Sequence, residues 1–384
     1  MNGSDMLPFE NPPASPVEAV ATAQDSRAVA NQWRRNTFRP HPVPTDSMAT
    51  TPRAWTITSG MDQQLSAELA PLVEWFETVP GCRERLRWAL RDSLDEILDG
   101  QRTGRWAYQH LSKTEKTHLG TVVEVNLTKE FEFANGVHLD WQIAGRDIDC
   151  KFSKDLGGWQ IPMEMYLCAD HGERQGKANH PALLTWFDDT SNQWAAGLIT
   201  ITDERLRWKR GGVARAYNRD NKRSLGNSSA KCVYWLWSGL QTDLPRNLLL
   251  HMDPEARKRI LSPALRHGQQ RVNQLFQEVQ ERIVSRPTVL TVGQQDDAPK
   301  RVRDARNALR DQGIVILGHQ QAHPTIASAL GLTVPVKGEW IAVRIVPVSE
   351  TDSRPFIFMH GQRWGKAHDG EPSVAVSFDY RHLK

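Results

Sequence analysis

The sequence lacks the features that identify membrane and secreted proteins. No run of 18 or more apolar residues occurs among its 384 residues, so we expect no membrane-spanning helix. The N-terminus has no basic segment followed by an apolar one, and we expect no secretory signal. The 4 cysteines are far apart and form no CxxC pair, which argues against a disulfide scaffold and a zinc ribbon. A reducing cytoplasm is the expected location.

A strong net charge is missing as well. The 48 Lys and Arg residues oppose 45 Asp and Glu residues, so the net charge is +3 and a globally basic protein is excluded. The charge is uneven, however: residues 1–55 are neutral, residues 56–246 carry −2 and residues 247–384 carry +5. A local basic surface in the last part is compatible with the mild total.

We predict two folded domains and one extension. Eight of the 22 prolines lie in residues 1–55, which show no helical or strand period, and we predict a disordered Pro-rich extension there. Residues 56–238 mix helical and strand-like apolar spacing and form the first predicted domain. A glycine and a proline mark a linker at 239–246, and residues 247–384 form the second predicted domain.

Apolar spacing predicts the individual elements. In the first domain it predicts helices at 65–76, 82–98 and 113–131, the last behind a capping box at 112–115, and strands at 137–144, 147–152, 182–187 and 193–201. In the second domain it predicts helices at 269–285 and 299–311 and strands at 313–317, 334–348 and 355–359.

The segment 137–152 is the most informative. Apolar and polar residues alternate on both sides of Gly145-Arg146, which predicts a β-hairpin with that pair as its turn. This turn sets Asp140 opposite Lys151, at a Cβ separation of about 4.5–5.5 Å. The alternation also puts the polar side chains of the hairpin on one face. These are Asp140, Gln142, Asp147, Asp149 and Lys151.

A cluster of this composition has a chemical use. Two carboxylates bind Mg²⁺ through oxygen ligands, and the ion polarises a phosphoryl oxygen and activates water. A nearby lysine stabilises charge on phosphorus. Asp140, Asp149 and Lys151, with Glu124 presented by the preceding helix, match the D…(D/E)-x-K arrangement of metal-dependent nucleases. The D-x-K pattern alone is weak, because residues 220–222 match it too, and an exposed charged face is the alternative.

The second domain contains a candidate DNA-binding helix. At helical spacing, four basic residues of segment 299–311 fall within an arc of about 120°. They are Lys300, Arg303, Arg306 and Arg310. A basic helix ahead of a strand is typical of a recognition helix followed by a wing, and a solvated surface helix is the alternative. A second basic stretch, 205–223, contains Arg210 and Arg219 and is predicted to contact phosphates, unless it is a mobile solvated loop.

Several long motifs carry a family resemblance. In order between about residue 80 and 365 they are DGQRTGRW (99–106), KTEKTH (113–118), DCKFS (149–153), NLLLH (247–251), RVN (271–273), QQDD (294–297) and ILGHQ (316–320). Together they resemble the NaeI family of type II restriction endonucleases. The Pro-rich extension and residues 168–180 depart from the family pattern.

The resemblance implies a mixed α/β fold, with a restriction-endonuclease-like PD-(D/E)xK catalytic domain followed by a winged helix-turn-helix domain like that of the catabolite activator. It implies a homodimer in the bacterial cytoplasm that uses Mg²⁺ to cut both strands of GCCGGC, or a related GC-rich palindrome. It also implies a second, effector DNA on the C-terminal domain. The family's catalytic and metal-binding residues fall on Glu124, Asp140, Asp149 and Lys151. Two other hypotheses stay open: a non-cleaving DNA-binding regulator and a repair-type nicking endonuclease.

One further motif is excluded on chemical grounds. Residues 97–100 (ILDG) resemble the K-x-D-G nucleotidyl motif of DNA ligases, but Ile97 stands where the lysine would be. Because isoleucine cannot form an adenylated amine, we expect no ligase activity.

Overall fold

The computed structural model describes residues 38–44, 55–58, 65–170 and 173–377. Pro40–Lys384 form one compact unit. None of the described helices is long and apolar enough to cross a membrane. Most of the predicted Pro-rich extension, residues 1–37 and 45–54, lies outside the described residues.

Helices and a mixed sheet make up the first half of the chain. Its helices are α1 (Ala70–Thr78), α2 (Cys82–Leu98), α3 (Gly100–Thr103) and α4 (Lys113–Phe131). Its strands are β1 (Ala134–Asn135), β2 (Trp141–Ile143), β3 (Arg146–Phe152), β4 (Gln160–Ile161), β5 (Cys168–Asp170), β6 (Glu173–Gly176), β7 (Pro181–Asp188), β8 (Gln193–Thr200), β9 (Arg223–Ser224) and β10 (Tyr234–Trp235). The main sheet has the order β1-β2-β3-β7-β8-β10, in which β3 and β7 are parallel. Its other neighbours are antiparallel.

Apolar side chains cover both faces of this sheet. Along β7, Leu183 and Phe187 pack with the helices, whereas Leu184 and Trp186 join a second cluster around Trp159. This alternation is the period of a strand that is buried on both sides. A charged side chain on β3, the neighbour of β7, therefore needs a polar partner.

Local sequence signals set the helix boundaries. Ser112 and Glu115 form the predicted capping box at the start of α4, and α2 has its predicted bounds. Helix α1 begins at Ala70 rather than at residue 65, because Pro71 has no amide to donate and is favoured in a first turn.

The second half of the chain has short helices around an antiparallel sheet. Its helices are α5 (Leu248–His251), α6 (Pro254–Ile260), α7 (Gly268–Glu278), α8 (Arg286–Gly293), α9 (Ala298–Leu309) and α10 (His323–Ala329). Its strands are β11 (Ile283–Ser285), β12 (Ile314–Leu317), β13 (Glu339–Val348), β14 (Phe356–Met359) and β15 (Gln362–Lys366). The sheet order is β11-β13-β15-β14, and β12 also pairs with β13.

The helix predicted at 269–285 is wrong in its second half. Helix α7 ends at Glu278, and Glu281 has a left-handed backbone with φ 58°. The β-branched residues Ile283 and Val284 then pair with β13, as their strand preference favours. Apolar spacing over this short stretch fits a helix and a strand equally well.

Two smaller predictions in this half also need correction. The strand predicted at 334–348 begins at Glu339, because the Glu339 amide donates to the Val336 carbonyl in a turn. Helical spacing also predicts that Ala308 shares the apolar arc of α9 with Val302, Ala305 and Leu309, but Ala308 is exposed.

The two halves of the chain meet around Trp106. This side chain is 2% exposed and packs in the apolar cluster of the second half. The Arg257 guanidinium lies 4.8 Å from its ring, and Asn247 Nδ2 donates to its carbonyl at 2.6 Å. Within the predicted extension, His41 stacks on the ring of His110 beside this junction, with the ring centroids 4.8 Å apart.

Candidate active site

The β2–β3 hairpin carries the predicted acidic residues in a register that differs from the prediction. Gln142 pairs with Asp147, so the turn is Ala144-Gly145 and Arg146 already belongs to β3. Ala144 and Gly145 have φ 49° and 72°, as a type I′ turn requires. Gly145 takes the second central position of such a turn, so the turn lies one residue earlier in the chain than predicted.

The corrected register changes the partner of Asp140. The predicted pairing of Asp140 with Lys151 is wrong, and continuing the observed pairs sets Asp140 opposite Asp149. The shift is two residues along β3, an even number, so each side chain keeps its predicted face. The hairpin therefore brings two carboxyl groups together, with Lys151 on the same face of β3.

A backbone hydrogen bond fixes the Asp140 carboxyl group. The amide of Cys150 donates to Asp140 Oδ2 at 2.7 Å. Cys150 lies between Asp149 and Lys151, and its own side chain is buried in the helix-side core. The position of Asp140 is thus tied directly to the strand that carries the other two residues.

Asp147 lies on the same face, but its carboxylate is hydrogen-bonded to backbone amides. Its carboxylate accepts the amides of Val137 at 3.1 Å and His138 at 2.7 Å. These bonds turn the chain there, so the strand predicted at 137–144 is shortened to Trp141–Ile143. Burial would raise the pKa of Asp147, but the two amides outweigh it and the pKa is lowered. Asp147 therefore braces the hairpin.

Lys151 is held in place by three contacts. Its ammonium group forms an ion pair with Asp149 Oδ2 and also donates to the Cys150 carbonyl at 3.2 Å. The hydroxyl of buried Thr185, on β7, donates to the Lys151 carbonyl at 3.2 Å. Thr185 was not predicted from the sequence, although one threonine within an apolar strand is a signal of a buried polar contact.

The electrostatics of the site centre on Asp149, which is 6% exposed. Burial raises its pKa, the Lys151 ammonium lowers it and Asp140 raises it, with the result of about 7. Burial also raises the pKa of Glu124. The Asp140 carboxylate raises this pKa further, whereas the Lys151 ammonium lowers it. For Lys151 the desolvation would lower the pKa, but the Asp149 carboxylate outweighs it and the pKa is raised. All four predicted residues thus interact electrostatically.

Helix α4 places Glu124 beside this hairpin. One turn further along the helix, the Thr128 hydroxyl accepts Trp141 Nε1 of β2 at 2.7 Å. The same hydroxyl donates to the Glu124 carbonyl at 2.8 Å. The predicted order of helix glutamate, strand aspartate and D-x-K strand is therefore the order in which the fold assembles the cluster.

The donor set fits a divalent cation. Three carboxyl groups, Glu124, Asp140 and Asp149, share one ammonium group, which leaves two negative charges without compensation when all are ionised. Among the described residues, no three Asp, Glu, His or Cys side chains are arranged to hold one ion together. Two carboxylates suffice for Mg²⁺, which keeps several waters. Asp140 and Asp149 are the pair that the hairpin joins.

Helix α9 presents some of the predicted basic residues to solvent and not others. Lys300, Arg303 and Arg310 are exposed. Arg306 is partly buried, and its Nε donates to the Ile316 carbonyl of β12 at 2.8 Å. Asn307 is exposed one turn after Arg303 and was missed, although its i+4 spacing places it on the same face.

The basic stretch 205–223 also divides into two groups. Arg210 is exposed and Arg219 is 93% exposed. Arg215 and Arg223 instead pair with Asp203, the former at 2.7 Å and the latter fully buried. Both pairs lower the Asp203 pKa against the effect of burial. The loop 205–223 is therefore stabilised by its ion pairs with Asp203, and Arg210 and Arg219 are exposed on its surface.

Comparison with known proteins identifies the family. The sequence model of the restriction endonuclease NaeI family matches residues 77–375. The type II restriction enzyme NaeI of Lentzea aerocolonigenes is 43% identical over 298 residues, which cover 76% of this chain and 87% of that protein. The resemblance drawn from the sequence motifs is confirmed. The chain belongs to the NaeI family and is a type II restriction endonuclease.

Proposed function

We propose that this enzyme uses Mg²⁺ to cut both strands of GCCGGC, or a related GC-rich palindrome, as a homodimer that binds a second DNA as effector. The observation that carries the proposal is the meeting of Asp140 and Asp149 across the β2–β3 hairpin, with Lys151 paired to Asp149. The order α4, β2, β3 with parallel β7 supports a PD-(D/E)xK catalytic domain.

We assign the roles of the residues from their charges and contacts. Asp140 and Asp149 would hold Mg²⁺, with Glu124 as the third acidic group of the site. When bound, the ion supplies Lewis-acid stabilisation of the phosphoryl oxygen and a more acidic water. The Lys151 ammonium, whose pKa is raised, stays protonated and donates to the charge that develops on the phosphoryl group. Without the ion, burial raises the pKa of Asp149 to about 7, and a bound cation would favour its ionised form.

A winged helix-turn-helix in the second half is the proposed effector site. Helices α8 and α9 are joined by residues 294–297, and β11 and β12 both pair with β13. This arrangement is typical of a winged helix, in which α9 is the recognition helix. Lys300, Arg303 and Asn307 are then the side chains that face DNA. The partial burial of Arg306 assigns it to holding β12, with a smaller direct role than its sequence position suggests.

A dimer follows from the symmetry of the proposed target. A palindrome has two equivalent strands related by a twofold axis, and a homodimer sets one cluster of Asp140, Asp149 and Lys151 against each strand. Arg210 and Arg219 would contact phosphates of the substrate duplex from the surface of the loop 205–223.

Plasmid cleavage tests the proposal. The full-length protein is incubated with a plasmid that carries GCCGGC and with a matched plasmid that has one base pair of that site changed, each with Mg²⁺ or EDTA. We expect double-strand cleavage at the intact site with Mg²⁺ only, and sequencing the ends gives the cut position. Nicking of one strand would support a nicking enzyme, and retarded but uncut DNA would support a non-cleaving regulator.

A further inference from the structure

The two halves of the enzyme touch where α3 packs on α8. A Cβ atom at Gly100 would lie 2.0 Å from Thr291 Oγ1 and 2.9 Å from Thr291 Cβ. Gly100 is buried and Thr291 is 8% exposed. A side chain larger than hydrogen has no room at position 100, so α3 meets α8 at backbone distance. The glycine of the ligase-like ILDG motif therefore has a packing role here.

On the C-terminal side of this contact, α8 is held firmly to its surroundings. The buried Arg271 guanidinium donates to the carbonyls of Val292 at 2.8 Å and Gly293 at 2.9 Å. Helices α8 and α9 share one apolar cluster. DNA that binds Lys300 and Arg303 on α9 therefore acts on a unit that includes α8 and Thr291.

On the catalytic side, α3 continues directly from α2. Asp99, with φ 47°, ends α2 and begins α3. Further back on α2, Ser93 and Glu96 accept the Asn126 side-chain amide at 3.2 and 3.0 Å. Asn126 lies on α4, two residues after Glu124. Helix α2 is thus hydrogen-bonded to α4, the helix that carries Glu124.

A second connection runs from α2 to the sheet. Buried Arg91 pairs with Asp189 at 2.5 Å, and Asp189 follows β7 directly. Strand β7 pairs with β3 in the register that includes Asp149 and Lys151. His251 of the second half also bonds to the Asp189 carbonyl at 2.8 Å.

A cleft of about 380 Å³ lies beside the contact. Its walls come from both halves and include Asp95, Asp99, Arg246, Thr288 and Thr291. Open space therefore lies between the halves next to the point at which α3 and α8 touch.

We propose that the Gly100–Thr291 contact is the pivot through which effector DNA on α9 repositions Glu124, Asp149 and Lys151 for cleavage. This inference rests on the proposed effector site. Gly100 and Thr291 are positioning residues, since neither touches the acidic cluster. DNA binding displaces α8, and the Gly100–Thr291 contact passes this displacement to α3. Helix α2, which continues into α3, then moves α4 and β7.

Paired substitutions at Thr291 test this inference. Thr291→Ala opens a gap at the pivot, and Thr291→Val keeps the shape and is the matched control. The cleavage rate of a short GCCGGC duplex is measured with and without a second duplex whose scissile linkages are blocked. We expect Thr291→Ala to lower the activation ratio at least about fivefold. Its unstimulated rate and affinity for the blocked duplex should match those of the wild type and Thr291→Val.

Three results would overturn the inference. A wild-type activation ratio in Thr291→Ala would show that the pivot does not couple the sites. An equal loss in the stimulated and unstimulated rates would show a general packing role. A wild-type enzyme that ignores the blocked duplex would remove the effector proposal itself, and this result is distinct because it appears before any substitution is made. Gly100→Ala, if it folds, should reproduce the loss.

Discussion

The amide of Cys150 donates a 2.7 Å hydrogen bond to the carboxylate of Asp140. This bond ties one acidic residue to the middle of the Asp149–Lys151 segment, so the geometry of the cluster does not depend on side-chain packing alone. It also separates two properties of Asp140, because the hydrogen bond needs an oxygen acceptor whereas metal binding needs a charge.

Substitution of Asp140 should separate these properties. Asp140→Asn keeps an oxygen acceptor for the Cys150 amide, and Asp140→Ala does not. Both should lower DNA cleavage by about 10²–10³-fold, the range for the loss of one electrostatic group from an active site. In Asp140→Ala the loss of the acceptor should cost about 1–3 kcal/mol, or about 2–4 °C of melting temperature per kcal/mol. Thermal melting that is equally lowered in both variants would contradict this assignment.

The raised pKa of Asp149 makes a prediction about stability and pH. Its pKa is 3.8 in the unfolded chain and about 7 in the fold, so folding takes up a proton between these values. Its contribution to stability is therefore full below about pH 4 and is lost as the pH rises to about 7. Asp149→Asn removes the buried charge and should melt at a higher temperature than the wild type at pH 8.

Melting curves of the wild type and Asp149→Asn from pH 5 to pH 8, without divalent cations, provide the measurement. The advantage of the variant should shrink as the pH falls. Asp220→Asn is the matched control, since Asp220 belongs to the other D-x-K match and is exposed. An advantage of Asp149→Asn that does not change with pH would show that Asp149 is not the group that titrates.

The basic residues of α9 should fall into two classes. Lys300→Ala and Arg303→Ala should each weaken DNA binding and reduce the salt slope of log K by about 1, with unchanged melting. Arg306→Ala should instead lower the melting temperature, because the Ile316 carbonyl loses its partner. Fluorescence anisotropy at several salt concentrations and thermal melting distinguish the classes. If Arg306→Ala alone reduces the salt slope, α9 presents a different face to DNA.

A comparable division is expected in the loop 205–223. Arg223→Ala leaves the Asp203 carboxylate with Arg215 but without its buried partner, and should cost about 1.5–3 kcal/mol. Arg219→Ala, at a side chain that is 93% exposed, should leave the unfolding free energy unchanged and weaken binding of the substrate duplex. Urea unfolding of both variants is the measurement. Equal unfolding free energies for Arg223→Ala and Arg219→Ala would rule out a stabilising role for the ion pair between Arg223 and Asp203.

Several elements could be predicted because local chemistry decides them. The capping box of Ser112 and Glu115 fixes the start of α4. The face of each hairpin residue was correct despite the wrong turn, because a two-residue shift preserves the alternation of strands. The family motifs carried the identity of the enzyme, since several of them are long and appear in order.

Other features depend on tertiary contacts that the sequence pattern does not contain. By charge alone, Arg306 and Arg223 cannot be distinguished from Arg303 and Arg219. In the structure they differ, because Arg306 is partly buried against a backbone carbonyl and Arg223 is buried against a carboxylate. The turn at Ala144 was missed because it places a residue other than glycine at positive φ.

Cleavage of a GCCGGC duplex by Lys151→Met and Asp149→Asn, with Asp220→Asn as control, shows whether the acidic cluster of the β2–β3 hairpin is the active site. All three proteins are assayed with Mg²⁺ beside the wild type, and duplex binding is measured in parallel. We expect Lys151→Met and Asp149→Asn to bind the duplex and to lose about 10²–10³-fold in cleavage, while Asp220→Asn cuts like the wild type. Wild-type cleavage by either of the first two variants would place the active site elsewhere in the chain.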